Sequence, residues 1–298
     1  EMSQSAGVQT CALPIFFTDT SANLPVSLTD KYNITVLPFS YTVNGKELPA
    51  DADGEFDGAE FYSAMRGGAD IKTSMINPDF ISAAFRKCLE NGDDVLYIGM
   101  SGGISGTAHS ASLAAEELRE EFPERLISAI DTYAASLGEG LMVIRAAEML
   151  NNGISFKDIE ACILNERDTM CQYFTVDDLK YLKKGGRISG SAAMIGTLLN
   201  IKPILKGDET GHIISCGKAR GKKAALQTLA DKYAALAFDK KALIGIAHAD
   251  APEDAELLLG MLKKQGFKGQ VLTVCYEPVT GSHVGPGTVA LFFPGIEK

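Results

Sequence analysis

The chain is short of basic residues: 28 Lys and Arg stand against 38 Asp and Glu, a net charge of -10 over 298 residues. That balance argues against nucleic acid or an anionic membrane surface as the main partner, because both recruit clustered cations. The few basic pairs, such as Lys183-Lys184 and Lys222-Lys223, read as solvated helix faces. Six cysteines (Cys11, Cys88, Cys162, Cys171, Cys216 and Cys275) fall in no C-x-x-C or metal-ligand spacing. Neither a metal site nor a disulfide framework is indicated, and a reducing cytoplasm is the natural compartment. No apolar run approaches the roughly 20 residues of a membrane span, so no stable membrane insertion is expected. A low-complexity linker and a short-period repeat are also missing.

Mechanistic glycine loops are absent too. The richest candidate is SGGISGT, Ser101 to Thr107. It has no lysine after Gly106 for a Walker A loop, meets no G-x-G-x-x-G frame, and carries threonine where a nucleophile elbow needs its second glycine.

What is present is a regular alternation. From Phe16 onward, short apolar runs such as DVLYIGM (94 to 100) and LISAID (126 to 131) alternate with helical patterns, 107 to 121 and the stretch ending at Gly153. This order predicts βαβ units around a parallel sheet. ITVLPFSYTV (34 to 43) reads as a strand reaching an Asn44-Gly45 hairpin. After a helix over 155 to 168 a second α/β unit follows: YFTV, a short helix ending at Gly185-Gly186, the small-residue helix SAAMIGTLLN, then IKPIL, HIISCGKAR, an amphipathic helix, ALIGIAHA, a helix from Pro252 to Gln265, QVLTVCYE and TVALFF. The expected division is an N-terminal domain over 16–169 and a C-terminal domain over 170–298. Residues 1–15 are expected to be a non-native leader, since GVQTCALPI matches the translation of a sequencing adapter and EMSQSA has no apolar period. A short secretory signal is the competing idea, without the basic start and long apolar stretch it needs.

Four stretches offer polar groups at element ends. SGGISGT places Ser105, Gly106 and Thr107 at a helix N-terminus, where glycines admit a close ligand and unpaired N–H groups suit an oxyanion. A tight turn with a hydroxyl cap accounts for the loop equally well. IKTSMINP sets Thr73 and Ser74 before a helix that Asn77 caps with Pro78 in its first turn. GGRIS puts Arg187 after a glycine pair, where a helix C-cap with a solvated arginine is the plainer account. GSHVGPG holds His283 in a turn before the last strand. His109, His212 and His248 have no such setting and read as structural.

TDTSANLP (18–25), TSMINP (73–78), SGGISGTAHSA (101–111), IDTYAASLGEG (130–140), DDLKYLKKGGRIS (177–189) and SHVGPG (282–287), taken in order, resemble the successive signatures of the DegV family of bacterial fatty-acid-binding proteins. The resemblance runs from about residue 16 to the end. It implies a two-domain DegV-like α/β fold, an N-terminal parallel-sheet domain and a C-terminal α/β domain. It further implies a long-chain fatty acid in an apolar tunnel, its carboxylate near the domain interface, no catalysis by the chain and no cofactor. A separate ATP-dependent fatty acid kinase would be the partner, phosphorylating the carboxylate. Carried over by motif, Thr73, Ser105 and His283 would receive the carboxylate, with Ser74, Gly106 and Thr107 beside them, and Arg187 would lie at the mouth or the kinase contact. The chain departs from the family at TSMIN, usually TSQPS, and at Gly102, usually serine, which bears on acyl preference.

Elementary energetics explains such a pattern. Burying a dozen methylenes contributes on the order of 10 kcal/mol at ~0.8 kcal/mol each, before binding entropy is subtracted. An unpaired carboxylate drawn in behind the chain costs several kcal/mol, so donors must receive it. Two rival expectations remain: an acyl hydrolase or transferase with Ser105 as nucleophile and His283 as base, and a sensor for a small phosphorylated metabolite at the same helix N-terminus.

Overall fold

The computed structural model describes residues 14–50, 56–188 and 200–298. Apolar runs with short polar corners form a four-stranded parallel sheet from β1 (Pro14–Asp19), β2 (Ile34–Leu37), β6 (Asp94–Gly99) and β7 (Ile127–Asp131), in the order β2-β1-β6-β7. β6 is buried along its whole length, as a central parallel strand must be. Helix α1 (Val26–Tyr32) joins β1 to β2, and α2 (Gly58–Arg66) follows a small antiparallel sheet of β3 (Ser40–Val43), β4 (Lys46–Pro49) and β5 (Ile71–Ser74). The run over 34 to 43 is therefore two strands in two sheets. Pro38, which lacks an N–H, stands between them.

Helices α3 (Pro78–Glu90) and α4 (Thr107–Glu121) cover the outer face of the parallel sheet. Asn77 caps α3, accepting from Asp79 N at 2.8 Å with Pro78 in the first turn. On the inner face lie α5 (Leu137–Asn151) and α6 (Phe156–Glu166). Beyond them a six-stranded mixed sheet is ordered β10-β9-β8-β13-β11-β12, from β8 (Met170–Thr175), β9 (Ile201–Gly207), β10 (Ile213–Arg220), β11 (Ile244–His248), β12 (Val271–Cys275) and β13 (Val289–Pro294). α8 (Lys222–Leu236) and α9 (Pro252–Lys264) cover its far face. The short α7 (Lys180–Lys184) and α10 (Pro278–Val284) pack on each other, and α10 also on α2, β3 and β5. α5 is apolar nearly all round because both sheets cover it, and one core cluster joins Phe16, Leu96 and Ile130 to Phe174, Leu205 and Phe292.

Three expectations need correction or restriction. Pro14 and Ile15 belong to β1 and pair with Asp94 and Val95, so the strand starts inside the expected leader. Residues 1–13 and the expected helix SAAMIGTLLN lie outside the described residues, apart from Asn200. Lys222 is no solvated face: its Nζ lies 2.8 Å from Asp177 Oδ1 and 3.7 Å from Asp254 Oδ2, with the side chain 18% exposed. No described helix is long and apolar enough to cross a membrane.

Candidate functional site

In the parallel sheet the chain runs from β1 outward to β2, then returns to the other side of β1 for β6. The strand order reverses there, and the crevice beyond the carboxyl ends of β1 and β6 is where an open α/β sheet binds ligands. SGGISGT is the segment leaving β6 at that point. It faces a cavity of about 230 Å³ between the two sheets. Phe39, Met100, Phe174, Leu182, Val284 and Phe292 give apolar walls, and Thr73, Ser74, Ser105, Gly106, Arg187 and His283 also line it.

The structure brings most of the expected residues together. Thr73, on edge strand β5, has its Oγ1 2.9 Å from His283 Nε2. His283 stands in the last turn of α10, not in a loop, and Glu277 starts that helix by accepting from Val279 N and Thr280 N at 2.5 and 2.6 Å. Gly185 lets the imidazole in: a Cβ there would lie 2.2 Å from His283 Nδ1. Ser105 Oγ donates to Thr107 Oγ1 at 3.1 Å, and Thr107 Oγ1 also accepts from Ile76 N at 3.4 Å. Thr107 is fully buried behind Ser105 and does not line the cavity. Ser74 lines it from an exposed position. Arg187 is half-buried: its Nε donates to Ile104 O at 3.0 Å and an Nη to Gly185 O, tying the loop to the end of α7.

The electrostatics follow from burial. Desolvation, with the Arg187 charge beside it, pushes His283 down to about 4, so the imidazole is neutral at neutral pH. Burial also pulls the Arg187 guanidinium below its ordinary range. Among the described residues, the site thus offers hydroxyls, a neutral imidazole and one cation.

Two features differ from the sequence reading. Gly103 serves packing rather than ligand approach. A Cβ there would meet the backbone of Gly211 at 2.7 Å, where the β9–β10 hairpin closes over the loop. Ser101 Oγ donates to Gly211 O across the same contact at 3.1 Å. The cavity wall Tyr133–Ser136 was also missed, although it lies inside the IDTYAASLGEG stretch. Tyr133 and Ser136 hold φ of 53° and 52°, and Gln172 supports them, its Nε2 donating to Tyr133 O at 2.9 Å and its Oε1 accepting from Ala135 N at 3.1 Å. Such backbone costs of order 1–3 kcal/mol per residue and persists where the surroundings fix it.

The model of the DegV family, described as "Uncharacterised protein, DegV family", matches residues 16–294. A DegV domain-containing protein of Clostridium perfringens is 37% identical over 285 residues, 95% of this chain and 98% of the relative. Among solved structures, a DegV family protein from Thermus thermophilus, described by its fatty acid binding, superposes with a TM-score of 0.84 at 33% identity, over 95% of this chain and 99% of that one. A fatty acid binding DegV family protein from Streptococcus agalactiae gives 0.84 at 30%, over 94% and 98%.

Proposed function

The chain belongs to the DegV family, and we propose that it holds a long-chain fatty acid in the cavity between its sheets and presents the carboxylate to a separate ATP-dependent fatty acid kinase. One observation carries this reading: an apolar cavity of about 230 Å³ that meets, on its wall, the Thr73–His283 pair, Ser105 and Arg187. The relatives from Thermus thermophilus and Streptococcus agalactiae, described as fatty acid binding, support it.

In this reading the tail supplies affinity through apolar burial, and the hydroxyls, the neutral imidazole and Arg187 receive the charged head. His283 is neutral in the ligand-free site, so Arg187 is the full positive charge that an arriving carboxylate meets on this wall, and a carboxylate oxygen stays available to phosphorus. In the transfer, that oxygen forms a bond to the terminal phosphorus of ATP while the bond to the departing nucleoside diphosphate breaks, and no proton moves. The chain acts as a carrier in the cytoplasm, with the fatty acid as ligand and no cofactor invoked. The hydrolase reading loses its central contact, since Ser105 Oγ points to Thr107 and His283 to Thr73.

The test is extraction of protein purified from a bacterial host, followed by mass spectrometry. Stoichiometric fatty acid is expected, and acyl phosphate should form only when a kinase and ATP are added. Folded protein that yields no acyl species and takes up none would overturn the reading.

A further inference from the structure

A second cavity, of about 400 Å³, adjoins the apolar one at the Thr73–His283 pair. The two share Thr73, Arg187 and His283 as a common wall, and the second adds Lys72 and Lys184. Here the chain, acidic overall, concentrates cations. Both lysines lean on one carboxylate: Lys184 Nζ lies 2.9 Å from Asp70 Oδ1 and Lys72 Nζ 3.3 Å from Asp70 Oδ2. Among the described residues, two ammonium groups and Arg187 against one carboxylate leave a surplus of two positive charges around this cavity. The lysine side chains are 74% and 64% exposed, so their pairs with Asp70 are weak and easily exchanged for another anion.

We propose that this second cavity receives the phosphoryl group of an acyl phosphate whose chain fills the first, with Lys72, Lys184 and Arg187 holding its oxygens. The inference rests on the fatty-acid reading above and extends it. A carboxyl held on the shared wall with its tail filling the first cavity leaves the second, which meets the same residues, for whatever is bonded to its oxygen. A phosphoryl group brings terminal oxygens and up to two negative charges, which match that surplus. Asp70 keeps the lysines in place while the ligand is a bare acid, and it opposes the phosphorylated form.

The experiment compares two ligands on delipidated protein: hexadecanoic acid, and its acylmethylphosphonate, in which a methylene replaces the bridging oxygen of the acyl phosphate. The double variant Lys72→Ala/Lys184→Ala is expected to bind the phosphonate at least about tenfold more weakly, a loss of ~1.4 kcal/mol, and the acid within about twofold of wild type. Asp70→Asn is expected to tighten the phosphonate several-fold and leave the acid unchanged, and added salt should weaken the phosphonate selectively. The two variants move affinity in opposite directions, which a general loss of folding does not imitate. Equal effects on both ligands, or none on the phosphonate, would overturn the assignment. Inorganic phosphate binding to acid-loaded protein as tightly as the phosphonate binds would make this a free-phosphate site and overturn it too. Wild type that binds the acid but not the phosphonate sinks this inference alone. Wild type that binds neither sinks the fatty-acid reading, and this inference with it.

Discussion

Two polar clusters stand at the carboxyl ends of the parallel strands, and they are built on opposite rules. Around Asp19, every group is fully buried and spent on another. Asp19 Oδ1 accepts from Ser21 N at 2.9 Å and Ser21 Oγ at 2.5 Å, while its Oδ2 accepts from Tyr97 OH at 2.6 Å and Met100 N at 3.2 Å. Ser21 Oγ also lies 2.6 Å from Glu139 Oε2. One hydroxyl proton cannot serve two carboxylates, so one of the two is protonated; Asp19 already accepts from Ser21 N, Tyr97 OH and Met100 N, which assigns the proton to Glu139, donating to Ser21. Burial and the charge on Asp19 both push Glu139 well above the carboxylate range, in the same direction. Along the apolar cavity, Thr73, Ser105 and His283 are only partly buried, and each has capacity left toward it. A saturated cluster braces the fold, whereas an unsaturated one waits for a ligand.

The largest effect expected from this contrast is on stability. Asp19→Ala should cost roughly 3 kcal/mol or more, because Tyr97, Met100 and Ser21 each lose a buried acceptor at about 1–3 kcal/mol. Thr73→Val, at a partly exposed site that keeps its volume, should cost less than about 1 kcal/mol. Urea unfolding of the two variants measures the difference, and equal losses would erase the distinction.

Affinity should show the reverse ranking. Ser105→Ala and His283→Ala are expected to weaken fatty-acid binding by about 1–3 kcal/mol each, the usual worth of a hydrogen bond to a charged group. A fatty alcohol of equal length, which brings no charge, should lose much less. Titration of acid and alcohol against both variants gives the double difference. Identical losses for the two ligands would mean that these side chains shape the cavity and hold no carboxylate.

Glu139 sharpens the comparison from within the saturated cluster. Glu139→Gln keeps both the volume and a donor for Ser21, so it should cost within about 1 kcal/mol. Glu139→Ala leaves a cavity and strands two hydroxyls, at about 2–4 kcal/mol. An ionised Glu139 would predict instead that glutamine is as damaging as alanine.

Much of this was legible in the residues, and the exceptions have physical causes. β1, β6 and β7 are continuous apolar runs closed by polar corners, and Asn77-Pro78 announces α3, so period and capping sufficed. α10 was hidden because Gly281, Gly285 and Gly287 read as a turn. Its available signal was Pro278 behind a carboxylate able to cap, which is Glu277. The TDTSANLP and SGGISGT stretches look alike as strings of hydroxyls. Which one is saturated depends on Tyr97 and Glu139, partners 78 and 121 residues away from Asp19 and Thr18. The second cavity was invisible for the same reason. Lys184 reads as part of a solvated pair until β5 and α7 bring it beside Lys72 and Asp70.

The smallest expected effect lies in pH dependence, where His283 on the cavity wall is balanced by the carboxylate that caps the same short helix. His283 is held at about 4 by burial and Arg187, while an unfolded imidazole titrates near 6.5. Its contribution to stability is complete above about pH 6.5 and is lost as pH falls toward 4, because the unfolded chain binds the extra proton. Glu277, lifted by burial to about 7 from 4.5, behaves oppositely: its contribution is complete below about 4.5 and is lost as pH rises through 7. Between about 4.5 and 6.5 the two slopes oppose, and the ligand-free protein should show little net dependence from this helix. Glu277→Gln removes one slope. The stability of the variant should then rise with pH across that window more steeply than wild type, by at most about 1.4 kcal/mol per pH unit. The partial exposure of both side chains trims that ceiling. Urea midpoints of the two proteins at several pH values measure the difference in slope. Parallel curves would mean that Glu277 is ionised in the folded state, as an exposed helix cap is, and that burial at the end of α10 does not govern its proton.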